Sequence, residues 1–271
     1  RIIHPRTGHC RISNLPTRFA ANRDQGFDIL ILQEGKLFKG DHPLLLRDAA
    51  YDVETKLKAE LLAQHGDEVL AIASGQQSAF CVLAAQFGAA DFTSLCLDVQ
   101  EDLLLLAPDG GGMRLIGGGV FFPSKWALSD KVGKMLGLVH GPVPGYDDNL
   151  APTVNRLLTR LPAGQTLLRH NWTLHDDGAL FQHPRLAQNN APAASPDRMW
   201  FRSERQTLSR VEGAGTILFT IKTAQARLPD AIGDTPALAD FLRDEIAAMD
   251  DRTLAYKSLI NKRAALLSYL G

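Results

Sequence analysis

The strongest constraint on the fold is a pair of strand-like segments that follow one another in the second half of the chain. Residues 198–211 form a long and unusually polar segment, and residues 215–223 form a strongly apolar one. The segment that joins them, Glu212-Gly213-Ala214-Gly215, has the glycine content that is typical of a hairpin turn. Two strands joined by so short a connection run antiparallel, so the sequence predicts an antiparallel sheet.

Other strands are indicated by apolar runs and by alternation of apolar and polar residues. The alternating segment places Arg169, Asn171, Thr173 and His175 on one side and His170, Trp172 and Leu174 on the other. The segments predicted as strands before the hairpin are 27–32, 92–99, 103–107, 113–122 and 166–175.

Helices are indicated where apolar residues recur at three- and four-residue spacing. The segments predicted as helices are 48–64, 68–87, 129–140, 150–161, one that begins at Thr235-Pro236, and 251–270. Mostly short connections between neighbouring elements favour an α+β fold, in which a helical insert separates the two halves of an antiparallel sheet. We predict an N-terminal irregular and helical extension (1–89), a core (90–225) and C-terminal helices that pack on the core (226–271).

Two polar or glycine-rich stretches are predicted to shape the sheet. Gln100-Glu101-Asp102 lies between two apolar runs and is predicted to form the turn of a hairpin. Gly117-Gly118-Gly119 fits neither a dinucleotide-binding nor a P-loop spacing, so close backbone packing or a bulge is expected there.

Composition excludes several classes of function. Lys and Arg number 29 against 30 Asp and Glu, and a net charge of −1 argues against a nucleic-acid surface. No run of 18 apolar residues and no export leader is found, so we expect a cytoplasmic protein without a membrane span.

Cys10, Cys81 and Cys96 are too few for a disulfide framework, and the last two are expected to be buried and unreactive.

One histidine stands out in the predicted insert, within LSDKVGKMLGLVHGPVPG (128–145). His140 shares a helix face with Val132 and Leu136, Ser129 is the expected N-cap, and prolines follow directly. A histidine held at the edge of an apolar wall suits an axial haem ligand, because its ring nitrogen can face the iron while aliphatic groups cover the porphyrin. The same pattern also fits a core histidine that bonds to the backbone.

Several motifs together resemble one known family. They are FFPSKW (121–126), DKVGKMLGLVHGPVPGY (130–146), LLRHNW (167–172), RSERQTLSRV (202–211) and ILFTIKT (217–223). The chain resembles the haem-binding α subunit of the haem-dependent oxidative N-demethylases over about residues 90–225. This resemblance implies a PAS-like fold for the core.

The resemblance also implies a reaction and its cofactors. His140 would be the axial ligand of haem b, and the enzyme would be a haem-dependent monooxygenase. It would activate O2 and demethylate a small secondary amine, such as dimethylamine, to a primary amine and formaldehyde. Electrons would come from NADPH through flavin and iron–sulfur partner subunits, which act as the reductase.

Candidate site residues follow from the charges that such a reaction involves. Reducing O2 builds up negative charge, which a cation stabilises, and an amine is held by a carboxylate. We expect Arg205 and Glu204 to be the catalytic pair. Strict strand alternation places Glu204 on one face with Arg202 and Gln206 and places Arg205 on the other, so only one of the pair can face the cavity unless a bulge intervenes. Asn171, Arg169 and Arg202 are expected to orient the substrate or to pair with a haem propionate.

Other interpretations of the sequence remain open. The chain would also fit a haem-binding PAS-type gas or redox sensor, or a relative that keeps the fold without the cofactor. His170, His175 and His183 are poor candidates for one tetrahedral zinc site, because the first two lie on opposite faces of a strand.

Overall fold

A seven-stranded antiparallel sheet forms the centre of the computed structural model, which describes residues 37–139, 141, 151–186 and 195–271. The strand order is β1-β5-β6-β7-β3-β4-β2, and every neighbouring pair is antiparallel. The strands are β1 (Phe38–Gly40), β2 (Leu70–Ile72), β3 (Asp102–Asp109), β4 (Gly112–Gly119), β5 (Thr166–His175), β6 (Trp200–Arg210) and β7 (Ile217–Arg227).

Helices precede, interrupt and follow these strands. The helices within the described residues are α1 (Tyr51–Val69), α2 (Gln77–Gln86), α3 (Phe92–Asp98), α4 (Leu136–Val139), α5 (Ala151–Thr159), α6 (Leu228–Asp234), α7 (Ala237–Ala248), α8 (Asp251–Tyr256) and α9 (Arg263–Tyr269). The predicted α+β class is therefore confirmed, with α4 and α5 between β4 and β5. Both edge strands, β1 and β2, come from before residue 90, and the domain boundaries at 89/90 and 225/226 stay predictions. No helix of the described ranges is both long and apolar enough to cross a membrane.

The sheet has two differently covered faces. Leu103 and Leu105 of β3 lie on the first face, where they pack with side chains of α1, α2 and α3. At the other end of this face, Trp172 and Phe201 pack against the C-terminal helices. Leu104 and Leu106 lie on the second face, which the insert covers through residues such as Leu136 and Leu158. The insert and the terminal helices thus occupy opposite sides of the sheet.

The predicted hairpin between 92–99 and 103–107 is wrong. Phe92–Asp98 is helix α3, and the side chain of Asp91 caps it by accepting a hydrogen bond from the backbone N–H of Ser94 at 2.8 Å. Gln100, Glu101 and Asp102 are buried rather than forming an exposed turn. A short apolar run does not distinguish strand from helix, and here the capping residue decides.

Three predicted helices differ from the observed ones. The segment 68–87 is divided by β2 and by Gly75, whose φ of +77° is not helical. Within the predicted helix 129–140, residues 129–133 form turns, because Gly133 has a φ of +80°, and only α4 is helical among the described residues. Ser129 donates to a Glu68 oxygen at 2.6 Å instead of capping a helix. The segment 251–270 forms two helices, with Ser258 at φ +59° between them.

The triple glycine of β4 lies where neighbouring groups approach its backbone closely, which confirms the expected close packing. A Cβ on Gly118 would lie 2.5 Å from the carbonyl oxygen of Leu103, and a Cβ on Gly119 would lie 2.6 Å from the sulfur of Cys96. Cys96 is buried, and burial raises its pKa to about 12, whereas Cys81 is exposed, contrary to expectation. Cys10 lies outside the described residues.

Substituting one of these glycines tests the crowding. We expect Gly118→Ala to lower the free energy of unfolding by about 1–3 kcal/mol, because the methyl group has no space beside β3. Urea denaturation measures the loss. The control is Gly66→Ala in α1, where nothing lies within 4 Å of the added Cβ and the stability should stay equal or rise. Equal stabilities for the two variants would contradict the crowding.

Candidate active site

Strand β6 carries a polar run that is buried in the middle of the sheet, between β5 and β7. Polar groups removed from water need hydrogen-bond partners, so each of these side chains must find one within the protein. The buried polar residues of this strand are Arg202, Ser203, Glu204, Arg205, Gln206, Thr207 and Ser209.

Arg202, Glu204 and Gln206 share the second face, which confirms the predicted alternation. One carboxylate oxygen of Glu204, Oε2, accepts from Gln206 Nε2 at 2.9 Å and from Asn171 Nδ2 at 3.4 Å. The other, Oε1, lies 3.3 Å from Arg202 Nη2. Asn171 is the direct partner of Glu204 across the β5–β6 ladder, so the register of the sheet brings the two together.

Arg202 is completely buried and links Glu204 to two loops. Its guanidinium donates to the carbonyl oxygens of Leu180, at 3.1 Å, and Phe122, and to Thr223 Oγ1 at 3.1 Å. These carbonyls belong to the segments that follow β5 and β4. A planar donor with fixed directions suits this task, because it holds the carboxylate and both loops in one geometry.

Beside this polar group the second face has a partly open apolar surface. Leu208 and Phe219 are direct partners in the two neighbouring strands β6 and β7, and both are only partly buried. Ile221, on the same face, is the partner of Gln206. Side chains at the centre of a sheet are normally covered when helices pack on that face. Incomplete cover here leaves apolar surface next to a buried carboxylate.

Arg169 lies at the edge of the same region, and the charges of Arg169 and Glu204 act on the phenol of Tyr256 in α8. Arg169 is exposed on β5 and is the ladder partner of Gln206. Burial raises the pKa of the Tyr256 phenol, the negative charge of Glu204 adds to that rise, and Arg169 opposes it. Tyr256 is half exposed at the end of α8. No sequence pattern indicates a role for Tyr256, because it lies 52 residues from Glu204 along the chain.

Arg205 lies on the first face, opposite Glu204. The register of β6 with both neighbours is continuous over Trp200–Arg210, so no bulge brings the two side chains together. Arg205 Nη2 donates to the carbonyl oxygen of Pro43 at 2.7 Å. Burial, and then the charge of Arg205, lower the pKa of His42.

The first face uses its polar side chains to hold the segment 43–48, here termed the strap. Lys222 Nζ of β7 lies 3.2 Å from Asp48 Oδ2 in the strap and 3.1 Å from Glu54 Oε2 in α1. Thr220 donates to the carbonyl oxygen of Leu44 at 3.3 Å. Arg205 belongs to this set, and its observed contacts are structural.

Three buried ionisable side chains form a cluster that was not predicted from the sequence. Glu101 and Asp102 lie at the start of β3, and Lys58 comes from α1. Lys58 Nζ lies 4.0 Å from Asp102 Oδ1, whose carboxylate accepts from the backbone N–H groups of Phe121 and Phe122 at 2.8 and 3.0 Å. Glu101 Oε1 accepts from the backbone N–H of Leu46 at 2.8 Å. Burial raises the pKa values of Glu101 and Asp102 and lowers the pKa of Lys58. A polar triplet between apolar runs resembles an exposed turn, so the sequence offers no signal for this cluster.

The histidines of β5 lie on opposite faces, as predicted, since His170 is the partner of Arg205 and His175 that of Trp200. His175 Nε2 lies 3.0 Å from Thr173 Oγ1 and 3.3 Å from Ser124 Oγ. Burial first, and then the charges of Arg202 and Lys125, lower the pKa of His175 to about 3. Within the described ranges, no three acidic, histidine or cysteine side chains lie together as metal ligands would.

His140 lies outside the described residues. The preceding residue, Val139, ends α4 and packs against the apolar cluster of the second face. Lys131 Nζ donates to the carbonyl oxygen of Val139 at 2.9 Å and lies 5.1 Å from the centre of the Trp126 ring. The chain is therefore anchored up to the residue before His140.

Comparison with known proteins identifies a family. Residues 89–267 match the family described as haem-dependent oxidative N-demethylase, alpha subunit-like. The match confirms the resemblance seen in the sequence motifs and extends beyond residue 225 through most of the C-terminal helices. No curated protein matches the chain.

The buried ion pair of Arg202 and Glu204 is expected to support the fold. Arg202→Met should lower the free energy of unfolding by about 3–5 kcal/mol, because it leaves the Glu204 carboxylate buried without its cation. The matched control is Arg169→Met, which removes an exposed arginine of the same face and should change stability by less than about 0.5 kcal/mol. Chemical denaturation compares the two variants, and similar losses for both would show that the pair is not a support of the fold.

The low pKa of His175 predicts how stability depends on pH. The unfolded histidine takes up a proton near pH 6.5 and the folded one near pH 3, so stability is complete above pH 6.5 and falls as the pH drops toward 3. His175→Gln should reduce the slope of unfolding free energy against pH in that window by up to about 1.4 kcal/mol per pH unit. Denaturation series at several pH values measure it. Parallel curves for the two proteins would rule out a neutral His175 in the folded state.

Proposed function

Because the chain belongs to the haem-dependent oxidative N-demethylase, alpha subunit-like family, we propose that it binds haem b and demethylates a small secondary amine such as dimethylamine. The haem would lie between the insert and the second face of the sheet. The observation that carries the proposal is the partly open apolar surface of Leu208 and Phe219 beside the buried pair Arg202 and Glu204. A PAS-like arrangement of the core and a cytoplasmic location belong to the same proposal.

The residues present fit haem b. Its flat faces are apolar and need aliphatic or aromatic neighbours, which Leu208, Phe219 and Ile221 offer on one side. Its propionates are anionic, and Arg169 is an exposed cation on the same face of the sheet. His140, which follows Val139, is proposed to hold the haem iron, a role taken from the family resemblance.

The overall reaction balances as a monooxygenation. Haem, when bound, would supply the activation of O2 by electrons. One O2, two electrons and two protons convert a methylated secondary amine into a primary amine, formaldehyde and water. The family name describes an alpha subunit, which supports a multi-subunit enzyme in which partners deliver the electrons. We propose that NADPH is the electron source, through flavin and iron–sulfur subunits.

Glu204 is proposed as the group that binds the amine. Alkylamines, with pKa values near that of lysine, are cationic at pH 7, and a carboxylate in a water-poor site attracts them. Arg202 is a positioning residue, since it holds the carboxylate in place by its contact with Oε1. Asn171 and Gln206 fix the other oxygen, Oε2.

Arg205 is given a structural role in this proposal. Its guanidinium lies on the opposite face of the sheet and holds Pro43 of the strap. The cation that stabilises charge during O2 reduction would therefore have to come from the second face. Arg202 and Arg169 are the described arginines of β5 and β6 that lie near Glu204 on that face.

A spectroscopic titration tests the proposal. Purified protein mixed with haem b should develop a Soret band, and His140→Ala should lose it while keeping the circular dichroism spectrum of the folded chain. Dimethylamine should shift the band. Glu204→Gln should weaken the amine affinity by about tenfold or more, because a charge-assisted hydrogen bond contributes about 1.5–3 kcal/mol.

The control is Glu60→Gln, which removes an exposed glutamate of α1 and should leave the titration unchanged. Amine-dependent O2 uptake and formaldehyde release with a chemical reductant would separate an enzyme from a haem-binding sensor. Absence of any Soret band would overturn the proposal in favour of a relative that keeps only the fold.

A further inference from the structure

A basic groove lies on the outer surface, between the edge strand β1 and the C-terminal end of α5. Its volume is about 460 Å³, and among the described residues that line it three are cationic and none is acidic. Leu157, Leu161 and Pro162 give the groove apolar surface as well. The cations are Lys39, Arg156 and Arg160.

Within the described part of the protein, the side chains of these three cations make no hydrogen bond or ion pair. Arg156 and Arg160 lie in the last turn of α5 and just after it, where arginines often bond the terminal carbonyls of the helix. Arg210 of β6 takes that role instead, donating to the carbonyl oxygens of Leu161 at 2.7 Å, Thr159 at 2.9 Å and Leu158 at 3.2 Å. The two groove arginines therefore remain exposed and available to an external group.

Arg169 extends this positive surface along the sheet edge. Lys39 of β1 is the ladder partner of Leu167 in β5, and Arg169 lies two residues further on the same face. Residues two apart in a strand are separated by about 7 Å, so the cations follow one edge of the sheet. Arg169 is exposed as well.

The form of the groove favours a macromolecule over a small anion. Small-molecule sites enclose most of the ligand and converge on it with a few buried polar groups. Here every cation is exposed and the groove is open. We infer that this groove is the docking surface for an acidic face of a partner protein. Charge complementarity over such a surface speeds association and selects the partner.

The groove shares a wall with the proposed active site. Leu161 lines the groove and belongs to the apolar cluster of the second face, and Leu157 packs against that cluster. A partner seated there would be separated from the second face by α5, whose diameter is roughly 10 Å. We assign the electron-delivering subunit as this partner, and this assignment alone rests on the proposed function.

A labelled poly-glutamate peptide serves as the probe for acidic surfaces, and fluorescence anisotropy with the full chain measures its binding. Arg156→Glu/Arg160→Glu should weaken the affinity by about tenfold or more, because like charges then face each other. Arg156→Gln/Arg160→Gln should give an intermediate loss. Binding by the unmodified protein should weaken steeply as salt is added.

The control, Lys56→Glu/Arg252→Glu, makes the same change in net charge at exposed positions of α1 and α8 that do not line the groove, and it should bind as the unmodified chain does. Equal weakening in both charge reversals would reduce the effect to net charge and overturn the inference. Displacement of the peptide by millimolar inorganic phosphate would show a small-anion site instead, and no binding would also overturn the inference. The measurement needs no haem, so its failure is distinct from failure of the Soret titration.

Discussion

The structure depends on burying a charged strand in the middle of a sheet. Strand β6 has neighbours on both edges, yet it buries three charged side chains within four residues, Arg202, Glu204 and Arg205. Buried ionic groups are tolerated only when they are paired and hydrogen-bonded. Alternation assigns these side chains to opposite faces, so each face must provide partners of its own. The surrounding elements are arranged around those partners.

On the first face, the polar side chains hold the strap and α1 against the sheet. Arg205 bonds Pro43, and Lys222 lies between Asp48 and Glu54. On the second face, Arg202 gathers two loop carbonyls and Glu204 at one place. The polar side chains of the first face bond to the strap and to α1. Those of the second face lie beside apolar surface that is only partly covered. We propose that the first set supports the fold and that the second set serves the reaction.

Much of the sheet was predictable from the sequence, because strands leave a local signature. The bounds of β5 were predicted to the residue, and the hairpin of β6 and β7 follows from the turn at 212–215. The shared face of Arg202 and Glu204 follows from alternation alone. By contrast, α3 was mistaken for a strand, since its apolar run is short and its cap at Asp91 carries little weight in sequence.

The remainder of the site depends on contacts between distant segments. Alternation along the strand predicts that the side chains of Glu204 and Arg205 lie on opposite faces. Only the observed register shows that no bulge in β6 brings them to the same face. Burial of Glu101 and Asp102 depends on Lys58 and on the loop after β4, which no local pattern reveals. Tyr256 reaches the region through the path of the C-terminal helices. Such juxtapositions are properties of the packed chain.

We propose that the second face of the sheet, and not the first, receives the haem. Methyl NMR spectra of the chain loaded with diamagnetic carbonmonoxy-ferrous haem test it most directly, because ring-current shifts reach only groups close to the macrocycle. We expect large shifts for Leu208 and Ile221 on the second face, and small ones for Leu105 and Leu218 on the first. Large shifts confined to the first-face leucines, or none on either face, would contradict the claim.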